Sequence, residues 1–507
     1  MELIKLGIVV VYVLAMVLVG VLCMKKTRTV SDFFLAGRNL GPWMSAFAYG
    51  TTYFSAVLFV GYAGRLGWGF GINALWIAAG NVVFGSYLAW KIFAAPTRRM
   101  TEKLNALTMP EFLGARYNCL FLKIAAALII FVFLVPYSAS VYQGLSLLFE
   151  TNFGISYQSA ILFMAALTGV YLIMGGYLAL AITDFIRGIV ELVGVVVMVL
   201  FLVSLKGGLG PVLSALSNPA SAPALLPPHP DKIPMFPGWL ILLSLVIVTS
   251  FGPWGLPQMV QKFYSIKNEL DIKRATVVAS SFALFIAFGA YFTGALTHLF
   301  YFKPGSAASA AGMSPLPKNL DDLMPHFLTH YVPGWVSMVI LLLVFSASMS
   351  SLSSLVLVSS SSIAVDLYAG LKKGVDKKLV VSLMRVLCGV FIALSLYLAF
   401  AKIDFIMNLM VLSWGALAGS FLAPYFYGLF WKRTTKAGAI AGMASGLLTM
   451  VGTIVYVSFK TGQPIAGNPA IPVAGALAMI VPMIIVPAVS LLTKPFDIAH
   501  IQKAFAK

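Results

Sequence analysis

Runs of about twenty to thirty apolar residues, separated by short polar stretches, repeat from one end of the chain to the other. A bilayer core about 30 Å thick is crossed by roughly 20 apolar residues in a helix, so each run predicts a membrane-crossing helix. Thirteen spans follow, at 4–24, 42–71, 73–95, 121–149, 158–178, 183–205, 238–262, 276–302, 334–365, 379–401, 405–430, 437–457 and 471–492. An odd number of crossings puts the termini on opposite faces of the membrane. No segment is left over for a soluble nucleotide-binding or sensor domain. Two connections are long, Leu205–Pro237 and Phe302–Pro333. In the first, Asn218 to Pro230 is rich in Pro, Ala and Ser and reads as irregular coil. In the second, Asp321, Asp322 and the short apolar run after them read as a surface helix.

Composition strengthens this reading. Of 507 residues, 60% are hydrophobic and 10% charged, with a mean hydropathy of +0.95. Soluble domains run at about 45–50% apolar and about 25% charged, so a soluble enzyme, a disordered chain and a nucleic-acid binder are excluded. The net charge of +18 is explained by loop asymmetry. The loops after spans 1, 3, 5, 7, 9 and 11, with the C-terminal tail and the adjoining helix ends, hold 26 of the 34 Lys and Arg. Arg98, Arg99, Lys103, Lys262, Lys273, Arg274, Lys372, Lys373, Lys377, Lys378, Lys432 and Arg433 make up much of that set. The positive-inside rule makes that face cytoplasmic, with the N-terminus outside and the C-terminus inside, in a multi-pass cell-membrane protein. Met1 to Met24 lacks a small-residue cleavage site and is read as a retained span. Cys23, Cys119 and Cys388 have no metal or redox spacing. No P-loop is present, which argues against ATP-driven pumping.

Two spans contain residues unsuited to a lipid-facing helix. Span 2 runs Ala48-Tyr49-Gly50-Thr51-Thr52-Tyr53-Phe54-Ser55-Ala56, and span 7 runs Thr249-Ser250-Phe251-Gly252-Pro253-Trp254-Gly255-Leu256-Pro257-Gln258. Irregular backbone at membrane depth survives only where it lines a cavity, and paired interruptions in two halves point to a transporter's site. The two spans are five apart, which reverses their orientation, as an inverted repeat of spans 2–6 and 7–11 requires. Ordinary kinks packed against neighbours are the alternative. In span 9, Ala347, Ser350, Ser351 and Ser354 share one face at helical spacing. Hydroxyls beside freed carbonyls suit a hard monovalent cation; close packing of small residues is the other explanation. Span 6 opens with Asp184, Arg187 and Glu191 on one face. Intramembrane charge is costly and usually functional, so Glu191 either pairs with Arg187 or takes part in proton or ion coupling. Asn81, Gln143 and His298 fit interhelical hydrogen bonds or ligands.

The chain also resembles the solute:sodium symporter family from about Leu3 to about Pro495. The marks are Asp32-Phe33-Phe34-Leu35-Ala36-Gly37-Arg38-Asn39-Leu40-Gly41, Leu107-Thr108-Met109-Pro110-Glu111-Phe112 with Arg116-Tyr117, Gly175-Gly176-Tyr177-Leu178-Ala179 through Thr183-Asp184, and the serine run ending in Asp366-Leu367-Tyr368. The resemblance implies an all-α, ten-helix inverted-repeat core with one helix before it and two after. It implies a sodium site formed by the carbonyls of Thr51, Phe54 and Ala347 and the hydroxyls of Ser350 and Ser351. Asp184 matches a family acid that supports sodium coupling, while Arg187 departs from a glutamine often found there. The proline-transporting branch carries Asp where this chain has Tyr53, and Trp and Tyr where it has Thr249 and Pro253. Gly255-Leu256-Pro257 looks more like the pantothenate and monocarboxylate branch.

Together these features predict a sodium-coupled symporter that imports a small carboxylate-bearing solute, an amino acid or a short organic acid, by alternating access. The expected solute contacts are Tyr53, Ser55, Asn81, Gln143, Trp254 and Gln258, with Asp184 and Glu191 in coupling or a second ion site. The expected partners are the solute, Na⁺ and the lipid bilayer. Na⁺ is the coupling ion, and no cofactor and no catalytic activity are expected. The predicted division is 1–41 (first helix and loop), 42–205 (repeat 1), 206–237 (outer loop), 238–430 (repeat 2) and 431–507 (two helices and tail). A proton-coupled permease using Glu191, and a sensor or channel-like protein without concentrative transport, are the rival readings.

Overall fold

A computed structural model of the chain describes residues 2–24, 34–217, 236–302, 313–372, 376–462, 464, 468 and 470–505. Asp32, Phe33 and the coil expected at 218–230 lie outside the described residues. Regular structure among the described residues is helical, apart from a two-residue parallel pair, Tyr301–Phe302 (β1) with Ser314–Pro315 (β2). Among the described residues, ten helical spans are long and apolar enough to cross a membrane, with Leu6–Leu22 and Tyr157–Ala166 as shorter apolar helices.

The chain opens with α1 (Glu2–Met24). The predicted span 42–71 is not one helix. It divides into α2 (Pro42–Tyr53), a wide π-wound turn at Val57–Tyr62 and α3 (Ala63–Phe70). Gly71, at φ 55°, turns the chain into α4 (Leu75–Gly80), a second π-wound stretch at Asn81–Leu88, and α5 (Ala89–Lys103). Then come α6 (Met109–Arg116) and α7 (Leu120–Phe153). The N-terminus of α6 is fixed by reciprocal bonds. Thr108 Oγ1 accepts the Glu111 amide, and the Glu111 carboxylate accepts the Leu107 amide, which satisfies donors that the first turn cannot.

The predicted spans 158–178 and 183–205 run together as one 48-residue helical element, α8 (Tyr157–Ser204). A straight helix of that length would reach about 72 Å at 1.5 Å per residue, more than twice the hydrocarbon thickness. Its two ends nevertheless come to one face. Asn152, five residues before α8, accepts a hydrogen bond from Ser337, and Phe201 near its far end packs on Trp335. Tyr177, in the middle, reaches Ser265 instead. The element therefore doubles back between its ends, and helical hydrogen bonding continues where the sequence predicts a turn.

After α9 (Leu209–Ser217) the chain continues through α10 (Gly238–Gly255), α11 (Pro257–Ser265) and α12 (Glu269–Leu296). The expected surface helix is α13 (Leu323–His330), followed by α14 (Gly334–Ser361), α15 (Lys377–Ala401), α16 (Ile406–Phe430), α17 (Lys436–Thr461), α18 (Ile471–Leu492) and α19 (Ile498–Phe505). Helices α14 and α16 are buried along nearly their whole length, whereas α1, α15 and α17 present Leu14, Leu18, Val386, Tyr397, Leu448 and Phe459 outward. In lipid no hydrophobic force presses helices together, so tight contact depends on small residues. Gly67 of α3 and Gly294 of α12 show this. A Cβ on Gly67 would lie 2.1 Å from the Gly294 carbonyl carbon, and one on Gly294 would lie 1.9 Å from the Ala63 carbonyl oxygen.

Candidate ion and solute site

The two segments predicted to break do break. Helix α2 stops at Phe54, whose φ of −108° and ψ of 113° are extended. Helix α10 stops at Leu256, at φ −79° and ψ 123°, and α11 restarts on Pro257. The chemistry is local. Proline removes an amide donor and disfavours helix in the residue before it. Pro253 leaves the Thr249 carbonyl without its usual partner four residues on, and the Tyr53 hydroxyl supplies one, donating to Thr249 O at 2.6 Å. The end of α2 is therefore hydrogen-bonded to α10, about two turns before the second break.

Just before Phe54 the carbonyls of Thr51 and Thr52 face α14. The Ser351 hydroxyl donates toward both, at 3.3 and 3.4 Å. Ser350 donates to Thr51 Oγ1 at 2.7 Å, and Thr51 Oγ1 donates to Phe47 O at 2.9 Å. One turn further along α14, Ser354 pairs with Thr52 Oγ1 at 3.0 Å. Thr51, Thr52, Ser350, Ser351 and Ser354 are buried, as are Phe54 at the break and Ala347 one turn before Ser351. The structure thus brings Thr51, Ser350 and Ser351 together at the first break, with neutral oxygens of the kind a hard monovalent cation takes.

The predicted solute residues divide into two groups. Tyr53, Ser55 and Asn81 line a narrow cavity between the breaks, with Phe54, Leu58, Tyr62, Thr249, Tyr291, Met410 and Trp414. Its open volume is about 20 Å³, room for a water and little more, so the structure is closed around this place. Tyr53 stacks on Phe54 at 4.3 Å and on Trp414 at 6.0 Å. Ser250 donates to Asn81 Oδ1 at 3.4 Å. Trp254 faces elsewhere, its indole donating to Phe84 O at 2.8 Å and its ring against Phe93 and Phe251. Gln143 lines a larger cavity of about 240 Å³ with Tyr157, Asp321, Lys402 and Asp404. Gln258 is buried, and neither amide atom has a hydrogen-bond partner among the described residues. Sequence reasoning missed Trp414, Tyr291, Met410 and Tyr62, which sit in ordinary apolar stretches.

The charged residues of α8 are deeper than snorkelling would leave them. Asp184, Arg187 and Glu191 are at most 1% exposed. Arg187 pairs with Asp184 at 3.5 Å, and the Glu191 carboxylate accepts no hydrogen bond among the described residues. Lys262, counted in the sequence with the cytoplasmic loop charges, is also fully buried, on α11 beside Ser354. His298 bonds the carbonyls of Gly67 and Trp68 and stacks on Trp68, so it joins helices.

A family model described as "Sodium:solute symporter family" matches residues 33–446. The chain belongs to that family. It is similar to the osmoregulated proline transporter OpuE of Bacillus subtilis, 29% identical over 459 residues, covering 88% of this chain and 87% of that one. It is 28% identical over 450 residues to the sodium/proline symporter of Escherichia coli, covering 87% and 86%. Among solved structures, a Na⁺-coupled sialic acid symporter in a substrate-bound outward-open state matches with a TM-score of 0.76 at 19% identity, over 97% of this chain and 98% of that one. Mhp1, a nucleobase-cation-symport-1 transporter in a closed conformation, matches with a TM-score of 0.53 at 14% identity, over 94% and 99%. These likenesses fix the fold as the broken-helix sodium symporter architecture, and the chain is a multi-pass membrane transporter that couples solute import to sodium.

Proposed function

We propose that the sodium ion binds between α2 and α14, on the carbonyls of Thr51, Phe54 and Ala347 and the hydroxyls of Ser350 and Ser351. The observation that carries this is the Ser350–Thr51 and Ser351–Thr51/Thr52 set of contacts at the break. Sodium there ties α14 to α2 and favours a state that accepts solute. The solute is a small carboxylate-bearing molecule taken up between the two breaks. Its apolar body lies among Tyr53, Phe54, Tyr291 and Trp414, with Ser55 and Asn81 as polar contacts. The new helix end at Pro257 supplies partial positive charge for a carboxylate. The relatives named for proline support an amino acid, while Tyr53, Thr249 and Pro253 leave the solute open to short organic acids. The two repeats are 42–205 and 238–430, and the basic face is cytoplasmic, in the cell membrane.

The test begins with a thermal-shift screen of amino acids and short organic acids, with and without NaCl, because a ligand of the folded state raises its apparent stability. The sodium-dependent hit is then followed into proteoliposomes carrying Ser350→Ala with Ser351→Ala. Sodium-stimulated uptake is lost while the protein remains folded. Normal sodium dependence in that double variant would sink the assignment. A flux that ignores sodium and follows a pH gradient would transfer the coupling role to Glu191.

A further inference from the structure

Every residue of α11 is buried, and one of them is a lysine. The Lys262 ammonium donates to Ser354 Oγ at 3.2 Å and lies 4.9 Å from the centre of the Tyr177 ring, with the Asp184 carboxylate within electrostatic reach but not in a direct ion pair. Ser354 in turn meets Thr52 Oγ1 at 3.0 Å. Hydroxyl, carboxylate and aromatic face together form a cation's surroundings, one helical turn along α14 from Ser350 and Ser351, about 5.4 Å away. Asp184 already pairs with Arg187 at 3.5 Å, so the Lys262 ammonium brings a further positive charge to this buried region. Each sodium ion adds another, in a medium where unbalanced charge is expensive.

We propose that Lys262 is a built-in cation that fills the Asp184–Ser354 position, so that the chain binds one sodium ion per transport cycle. The ammonium also ties α11, beyond the second break, to α14 and through Ser354 to Thr52 at the first. This rests on the sodium reading above and adds to it the number of ions and the residue that sets it.

Sodium-22 binding to the purified full-length chain in nanodiscs tests the proposal, counting ions per protein. The parent protein binds one, with a Hill coefficient near 1. Lys262→Ala vacates the ammonium's place and leaves the Asp184 carboxylate shared with Arg187 alone, and the count rises to two with a Hill coefficient above 1. Lys262→Arg stays at one. Lys262→Ala with Asp184→Asn returns to one, because the carboxylate that attracts the second ion is gone. Lys262→Ser, which adds a hydroxyl ligand, carries the same expectation as Lys262→Ala if the latter fails to fold. Two ions on the parent protein, or one ion with unchanged affinity on Lys262→Ala, would overturn the proposal. Ser350→Ala with Ser351→Ala separates the two readings. Undiminished binding there refutes the site at the first break, whereas the role of Lys262 is judged by its own change in count.

Discussion

Tyr53→Phe removes one oxygen and tests whether the two breaks support each other. Tyr53 Oη is 2.6 Å from the Thr249 carbonyl, and both residues are buried. The carbonyl has no amide four residues on, because that residue is Pro253. Deleting the hydroxyl leaves a buried acceptor unsatisfied, which costs about 1–3 kcal/mol. In an open state water reaches the carbonyl, so the cost falls on the closed state alone. At about 1.4 kcal/mol per tenfold, the closed-to-open ratio shifts by roughly 5- to 150-fold. The assay is labelling by a water-soluble maleimide of Met410→Cys, in the cavity wall, with Cys23, Cys119 and Cys388 replaced by serine. Tyr53→Phe should accelerate labelling by a factor in that range. Pro253→Ala returns an amide donor to Thr249 O, so in the Tyr53→Phe background it should bring the rate back toward the parent value, a non-additivity expected only of groups sharing a partner. A rate unchanged within twofold in Tyr53→Phe, or simple additivity in the double variant, would refute the reasoning.

Two further outcomes follow from side chains away from that bond. Trp254→Phe takes the indole donor from Phe84 O and should lower stability by about 1 kcal/mol while leaving the half-saturating solute concentration within twofold; a tenfold rise would mean that Trp254 touches solute. Burial pushes the Asp321 carboxyl from 3.8 up to about 6, against the opposing pull of the Ile406 amide and Arg65. Its folded-state value lies above its unfolded one, so its contribution is fullest below about pH 4 and is lost as pH rises through about 6, at most roughly 3 kcal/mol. Hydrogen exchange across Leu320–His330, corrected for intrinsic rates, should therefore show protection falling over that window in the parent protein and staying flat in Asp321→Asn.

What the sequence revealed about the site was local chemistry. Pro253, Pro257 and the small polar run from Gly50 to Ser55 are local signals, so both breaks, at Phe54 and Leu256, fall inside the segments 48–56 and 249–258 that the sequence singles out. The serine face of α14 is a matter of helical spacing and was equally legible. Lys262 was not, because a lysine at the end of an apolar run reads the same whether its head reaches water or turns inward to Ser354. Trp254 was misplaced for a related reason. Its position beside Pro253 is local, but its rotation toward Phe84 is decided by the Asn81–Leu88 stretch and α5, which supply Phe84 and Phe93. Trp414 and Tyr291 gave no signal, since an aromatic in an apolar run is ordinary until folding brings another helix's break beside it. The joining of two predicted spans into α8 is likewise tertiary, because the turn is held by what its ends touch.

The placement of Tyr53 explains why ion and solute must communicate. It follows Thr51 and Thr52, whose carbonyls meet Ser351, and precedes Phe54, on which its ring stacks. The same side chain lines the cavity and holds Thr249 beside the second break. A cation drawn to the Thr51 carbonyl fixes the backbone that aims the Tyr53 ring, and a solute seated against that ring fixes the backbone that offers the carbonyl. Coupling between two ligands is reciprocal, so each raises the other's affinity by the same factor. With only Thr52 between Thr51 and Tyr53, that factor needs no distant relay, because both ligands order the last turn of α2, where the helix ends at Phe54.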